Sequence, residues 1–259
     1  MKAPTPTPLL LAAFLLSACT PSLGGSPPNA SEAAALVTQG RQAMGQQNYT
    51  LAVQDFRQAA EAGNADGQTM LGQMYQQGQG VPQDDAQARS WYEKAAAQGN
   101  GGALLNLGLL YREGVGVTQD ADQALEYFMA ADVAGHLKAP RYIGLSYEEA
   151  DDDAKAAAYF QKGANLGDIT SQYDLGRAYE LGKGVAQDYA LAAQWYTKAA
   201  QRGDLIASDG MVGLASLYER GLGVTQDLNQ AVALYRQAAA VGNQRAKAAL
   251  QRLGVSTSS

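Results

Sequence analysis

Three kinds of residue recur along this chain in a single register, and that recurrence limits the fold more than any composition does. Phe56, Tyr92, Phe128, Phe160, Tyr196 and Tyr235 follow one another at spacings of 36, 36, 32, 36 and 39. Gly63, Gly99, Gly135, Gly167, Gly203 and Gly242 keep the same spacings. A third row, Leu71, Leu107, Ile143, Leu175 and Leu214, is followed each time by Gly, or by Ala215 in the last case. Three residues further on stand Tyr75, Tyr111, Tyr147, Tyr179 and Tyr218. Self-similarity at about 35 residues marks a chain of stacked supersecondary units, none of which buries its apolar face alone.

Each unit reads as two helices. Gly67, Leu71 and Tyr75 stand at i, i+4 and i+8 and share one helical stripe, and Ala88, Tyr92, Ala95, Ala96 and Gly99 do the same in the second helix. The whole predicts thirteen helices and no strands. A Gly inside a helix costs roughly 1 kcal/mol relative to Ala. The return of Gly72, Gly108, Gly144 and Gly176 therefore asks for a packing reason: close approach of the paired helix, with a Tyr ring covering the gap. Ala215 predicts slightly wider packing in the last unit.

Four units carry a glycine-rich loop between their helices: "GQGVPQD" at 78 to 84, "GVGVTQD" at 114 to 120, "GKGVAQD" at 182 to 188 and "GLGVTQD" at 221 to 227. Phosphate-cradling loops follow a strand and carry a Lys-Ser/Thr pair or a third glycine at fixed offsets. These loops follow a helix and fill neither offset, so their roles read as local. The glycines permit positive φ for chain reversal, the Val can bury between the paired helices, and Asp84, Asp120, Asp188 and Asp227 sit where a helix needs an N-cap. Asn48 and Asp152 hold the same register position in the units without this loop.

With these residues assembled, the chain closely resembles the Sel-one-like repeat family, a branch of the tetratricopeptide-type solenoids. The family pattern is nearly intact at 65 to 100 ("LGQMY", "GQGVPQD", "WYEKAAAQG") and at 169 to 203 ("LGRAY", "GKGVAQD", "WYTKAAQRG"). The resemblance implies an all-α, right-handed α-solenoid of helix-turn-helix repeats, with five units at 65-100, 101-136, 137-168, 169-204 and 205-242. Residues 31-64 lack the loop and resemble an ordinary tetratricopeptide unit, and 243-259 reads as a capping helix and tail. The unit at 137-168 drops four residues and has "EEADDDAK" in place of the loop, so it should turn more like a tetratricopeptide unit. The unit at 205-242 gains three residues near "GDLIASDG", and both departures should bend or shift the superhelix.

Ahead of the repeats, residues 9 to 16, "LLLAAFLL", follow Lys2. Eight apolar residues make about 12 Å of helix, short of an apolar layer of about 30 Å, so the stretch reads as a signal-peptide core rather than an anchor. It runs into "LSAC" at 16 to 19, which resembles the lipobox of bacterial lipoproteins; Leu16 is a poor −3 residue for ordinary cleavage. That resemblance implies a signal peptide at 1-18, an acylated Cys19 and a Pro/Gly/Ser-rich tether at 19-30, with several acyl chains giving durable membrane attachment. Thr20 in place of Asp implies the outer membrane, facing the periplasm.

Composition narrows the chemistry. The formal charge is −6, one unit more negative once Lys2 is removed, and no block of Lys or Arg exists to displace counterions from nucleic acid. The single cysteine, Cys19, and the single histidine, His136, leave no disulfide within the chain and no zinc site of the usual kinds. Glu148, Glu149, Asp151, Asp152 and Asp153 could offer oxygens to calcium, but their spacing is not that of an EF-hand and they read as a solvated loop with a cap. His136 sits at an inter-repeat turn, where Asn100 stands in the preceding unit, without a Ser or Cys partner, and no carboxylate pair recurs for acid-base work. No catalytic residue, cofactor or metal site is predicted.

A solenoid offers a partner the inner surface made by the first helix of each unit. The tetratricopeptide rule places the inner positions three before, and one and four after, the Gly row. They are Val37, Arg41 and Met44; Thr69, Gln73 and Gln76; Leu105, Leu109 and Arg112; Arg141, Leu145 and Glu148; Tyr173, Arg177 and Glu180; and Val212, Ser216 and Glu219. Leu105, Leu109, Leu145 and Tyr173 would make an apolar centre, with Arg112, Arg141 and Arg177 beside Glu148 and Glu180. Apolar residues at nominally exposed positions mark an interaction site, unless the register is off by one and they pack in the core. The expected function is an envelope scaffold that binds another protein or a peptide segment. A cell-wall-active enzyme and a receptor for a small peptide or ligand are the alternatives.

Overall fold

The computed structural model describes residues 27–256. The proposed signal peptide, Cys19 and most of the tether lie outside the described residues. Among the described residues there are thirteen helices and no strand. The leading unit pairs α1 (Ala30–Gly45) with α2 (Tyr49–Glu61). Then come α3 (Ala65–Gln77) with α4 (Asp85–Ala96), α5 (Gly101–Glu113) with α6 (Ala121–Val133), α7 (Ala139–Glu149) with α8 (Asp153–Asn165), α9 (Ile169–Leu181) with α10 (Tyr189–Ala200), and α11 (Ser208–Arg220) with α12 (Leu228–Ala240); α13 (Gln244–Arg252) closes the array. Each helix packs on its neighbours in sequence, and the core is a string of clusters rather than one centre. The chain is an all-α solenoid.

The helical glycines mark where the two helices of a unit meet. A Cβ built at Gly72 would lie 2.6 Å from Cε1 of Tyr92, one at Gly144 2.6 Å from Cε1 of Phe160, and one at Gly176 2.7 Å from Cδ1 of Tyr196. The ring that fills the gap belongs to the second-helix aromatic row, not to the Tyr75 row on the same helix. Those rings are almost wholly buried.

The capping assignments hold at every position named. Asp84, Asp120, Asp188 and Asp227 accept from the backbone N–H of Gln87, Gln123, Leu191 and Gln230, and Asn48 and Asp152 from those of Leu51 and Lys155. Both units without the glycine loop turn alike, through a left-handed residue just before the cap, Gln47 at φ 60° and Asp151 at φ 57°.

The second glycine of each loop has a further role. Gly116 (φ +66°) lies on the first residue of the preceding unit's second helix, where an added Cβ would come 2.7 Å from Cβ of Asp85. Gly184 (φ +69°) lies against the Asp153 carbonyl in the same way. The loop is thus an inter-repeat contact as well as a turn. Because the unit at 137-168 has no loop, nothing covers the start of α6, and a hollow of about 190 Å³ opens there beside Leu125 and Tyr147.

First helices touch one another, α1 with α3, α7 with α9 and α9 with α11, while no second-helix pair does so to the same extent. Arg245 on α13 donates to the Tyr173 hydroxyl on α9, at 3.0 Å and across an intervening unit. The first-helix face is therefore the inner one.

Candidate functional site

The inner face is built from side chains that reach across repeat boundaries. Arg112 on α5 pairs with Glu149 on α7 at 2.6 Å, and Arg177 on α9 with Glu148 on α7 at 2.6 Å. Arg141 on α7 pairs with Asp174 on α9 at 2.7 Å. Arg220 on α11 meets Glu180 on α9 at 3.2 Å, and Arg252 on α13 meets Glu219 on α11 at 2.7 Å. From α5 to α13 every neighbouring pair of first helices is bridged by at least one ion pair. Exposed pairs of this kind are worth little stability, about 0 to 1 kcal/mol each. Their effect here is to hold the guanidinium groups in fixed places.

Asp174 is the exception, since its side chain is only 4% exposed. Burial pushes its carboxyl above the ordinary carboxylate range, and Arg141 beside it opposes that rise without cancelling it. Glu219 lies at the other extreme, held below its ordinary value chiefly by the Arg252 hydrogen bond. A second set of bonds ties the inner face to the paired helices: the hydroxyls of Tyr92, Tyr196 and Tyr235 donate to Gln76, Glu180 and Glu219 at 2.8, 2.7 and 3.0 Å. Burial, reinforced by Glu219, pushes the Tyr235 hydroxyl up to about 12.

The nominated apolar centre divides in two. Leu105 is 6% exposed and packs with Phe128 and Ile143, so it is a core residue and not part of a binding surface. Val37, Thr69 and Val212 occupy the same position in their units and are also buried. Four of the six residues three before the Gly row are thus buried, whereas Arg141 and Tyr173 at the same position stay half-buried. Leu109 and Leu145 stay half-buried at the edge of the core, and the Tyr173 ring lies 5.7 Å from that of Tyr196, tilted by 32°. Arg112, Arg141 and Arg177 lie on the face as expected, but each is already paired. The partners Asp174, Glu149 and Arg245 were missed; Asp174 stands one residue before the Leu row, where other units carry Met70, Asn106, Tyr142 and Gly213, and being the one acid in that row was the available signal.

The acidic cluster is occupied by cations of the chain. Glu148 meets Arg177 and Lys183, Glu149 meets Arg112, and Asp152 caps α8 and pairs with Lys155 at 2.6 Å. Among the described residues no group of three His, Cys, Asp or Glu is arranged to hold a metal ion. His136 is half-buried in its turn, and burial together with Lys138 holds its imidazole below the ordinary value. Among the described residues no helix is long and apolar enough to cross a membrane.

The Sel1 repeat model matches residues 37–64, 65–100, 102–131, 142–168, 169–204 and 208–243, the first match falling in the stretch that resembled an ordinary tetratricopeptide unit. No curated protein matches the chain. Among solved structures, a Sel1 repeat protein from Oxalobacter formigenes is 28% identical, with a TM-score of 0.74 over 88% of this chain and 92% of that one. A protective antigen of uropathogenic Escherichia coli strains, c5321, displays an SLR fold and is 37% identical, with a TM-score of 0.72 over 87% of this chain and 50% of that one; this chain spans about half its length. The immunity protein Pa5087 from Pseudomonas aeruginosa, 20% identical with a TM-score of 0.58 over 85% of this chain and 84% of that one, shares the fold. The matched repeats take in well over half of the sequence, and the chain belongs to the Sel1 repeat family.

Proposed function

We propose that the chain is a protein-protein interaction scaffold of the bacterial envelope, anchored by acylated Cys19 and facing the periplasm, that binds a partner on its first-helix face. The observation that carries this is the bridged row of Arg112, Arg141 and Arg177 beside the partly exposed Leu109, Leu145 and Tyr173. A guanidinium has five N–H donors, and one carboxylate leaves several for a partner's carboxylates or carbonyls. Because the neighbouring repeats hold these groups in place, little side-chain freedom is lost on binding. A wall-active enzyme would need an acid-base pair or an activated nucleophile, and no feature of the face favours one.

The test is crosslinking from intact membranes of the parent chain and of the double variant Leu109→Glu with Leu145→Glu. The expected result is a folded, unpartnered protein; a partner retained at full yield sinks the face. The anchor is tested separately: a Cys19→Ser protein should leave the membrane fraction, and one that stays firmly bound refutes the lipoprotein reading.

A further inference from the structure

Of the eight large hydrophobic residues that stand exposed among the described residues, five lie along one edge, in three consecutive turns between a second helix and the next first helix. They are Val133, Leu137, Leu166, Leu205 and Ile206, with Val133 90% exposed. The register makes the pattern sharper. Two residues past the inter-repeat glycine stand Leu137, Ile169 and Leu205 in these units, where Ala65, Gly101 and Gln244 stand in others. The three-residue gain falls in the last of these turns, and α7 and α11, alone among the first helices, start without a side-chain cap. An aliphatic row confined to three adjacent turns is more than the scattered apolar exposure of ordinary surfaces.

The row frames a hollow of about 320 Å³ between Leu137, Ile169 and Ile206, with Lys138, Arg141 and Arg202 around it. Cavities of about 150 Å³ already accept a benzene ring, so two large side chains would fit. The charges around it are disposed asymmetrically. Asp168 lines the hollow but is 6% exposed, and its Oδ2 accepts from the Ser171 N–H, the Ser171 hydroxyl and the Thr170 hydroxyl at 2.7, 2.6 and 2.8 Å. Asp174, which holds Arg141, is buried as well. Lys138 reaches the rim with no ion pair among the described residues, and Arg202 pairs with the half-exposed Asp204. On a chain of net charge −6, Lys138, Arg141 and Arg202 thus line a hollow whose own lining acid, Asp168, is buried.

We infer that this turn edge is a second docking surface, distinct from the inner face, and that it takes a partner segment presenting large apolar side chains beside carboxylates. The apolar side chains enter between Leu137, Ile169 and Ile206, and the carboxylates meet Lys138 and Arg202. Arg141 is shared, its Asp174 bond pointing to the inner face and its remaining donors to the hollow.

The experiment is a methyl-labelled NMR titration of residues 20–259, which retain every described helix, with three probes: a synthetic octapeptide alternating Leu and Glu, its Leu and Lys counterpart, and phosphatidylglycerol vesicles. The acidic peptide should shift the Ile169 and Ile206 methyl signals and the basic one should not. Ile206→Asp should weaken the acidic peptide about tenfold and Lys138→Glu about threefold, with unchanged melting since both side chains are exposed. Equal binding of both peptides, an unchanged affinity in Ile206→Asp, or a response to vesicles alone overturns the inference. Shifts confined to Leu109 and Leu145 overturn it too, while leaving the inner-face reading standing.

Discussion

Replacing Gly72 by Ala tests the close approach of paired helices, because two opposing effects meet at that atom. Helix propensity favours Ala by about 1 kcal/mol. Against it, the new Cβ would sit 2.6 Å from Cε1 and 2.8 Å from Cδ1 of Tyr92, with the Ala88 carbonyl at 3.1 Å. Ordinary contact begins at 3.4 Å, so the ring must retreat by about 0.8 Å. Tyr92 is fully buried and its hydroxyl donates to Gln76, which pins the far end of the ring. Overpacking of this kind costs about 1 to 3 kcal/mol, and the pinned ring puts the cost toward the upper end, which leaves a net loss of up to about 2 kcal/mol.

Gly144→Ala makes the same 2.6 Å approach to Phe160, a ring with no hydroxyl to hold it, and should lose less, about 0 to 1 kcal/mol. Gly45→Ala meets nothing within 4 Å and should be neutral or stabilising. At about 2 to 4 °C per kcal/mol for a chain of this size, the three should separate in thermal melts followed by circular dichroism. Gly72→Ala melting above the parent, as propensity alone would give, refutes the packing argument.

Two further outcomes follow from the loop and from the buried ion pair. Gly184→Ala combines a positive φ with a clash on the Asp153 carbonyl, whereas Gly99→Ala has φ +77° and open space around it; the second should lose about 1 to 2 kcal/mol and the first clearly more. Equal midpoints in urea would mean the loop does not pack on its neighbour. Arg141→Leu leaves Asp174 buried without its partner and should lose about 3 kcal/mol near neutral pH. Burial already raises this carboxyl above its unfolded value, so the folded state binds the proton more tightly and ionisation as pH rises costs it stability. The gap between variant and parent should therefore narrow as pH falls into the carboxylate range, and a pH-independent gap in denaturant titrations contradicts the assignment.

Much of the fold was legible because the anchors repeat. One row fixed the ring, a second the inter-repeat turn and a third the first helix, and the caps followed because an orphan N–H at each helix start must find an acceptor. The loop's second glycine was legible only as a turn residue. Its contact is with the neighbouring unit, and a pattern read within one unit cannot see across the boundary. Leu105 went wrong for a related reason: whether the position three before the Gly row faces solvent depends on what the next repeat lays beside it, here Ala139 and Ile143, which is a property of the stack. The arginines and Glu148 were found, but not Asp174 or Glu149 as the carboxylates that hold Arg141 and Arg112, since those pairs join residues 33 and 37 apart.

The same reasoning says where binding specificity should be sought in a repeat chain. Reading by register finds what every unit shares, and what every unit shares builds the scaffold: ring on glycine, cap on helix, loop on neighbour. A surface able to choose a partner must differ from unit to unit, because a uniform face offers the same contacts at every step and fixes no position along the array. In this chain the differences gather at the turns of residues 133–137, 166–169 and 202–206, beside the unit that lost its loop and the unit that gained residues. There alone the register position past the glycine turns aliphatic in succession, two first helices lose their caps, and Lys138, Arg141 and Arg202 line a hollow with the buried Asp168. The inner face, bridged at every step from α5 to α13, is better suited to setting geometry than to discrimination. If the two surfaces act together, a variant that breaks the turn edge should change which partner is bound more than how stably the solenoid is folded.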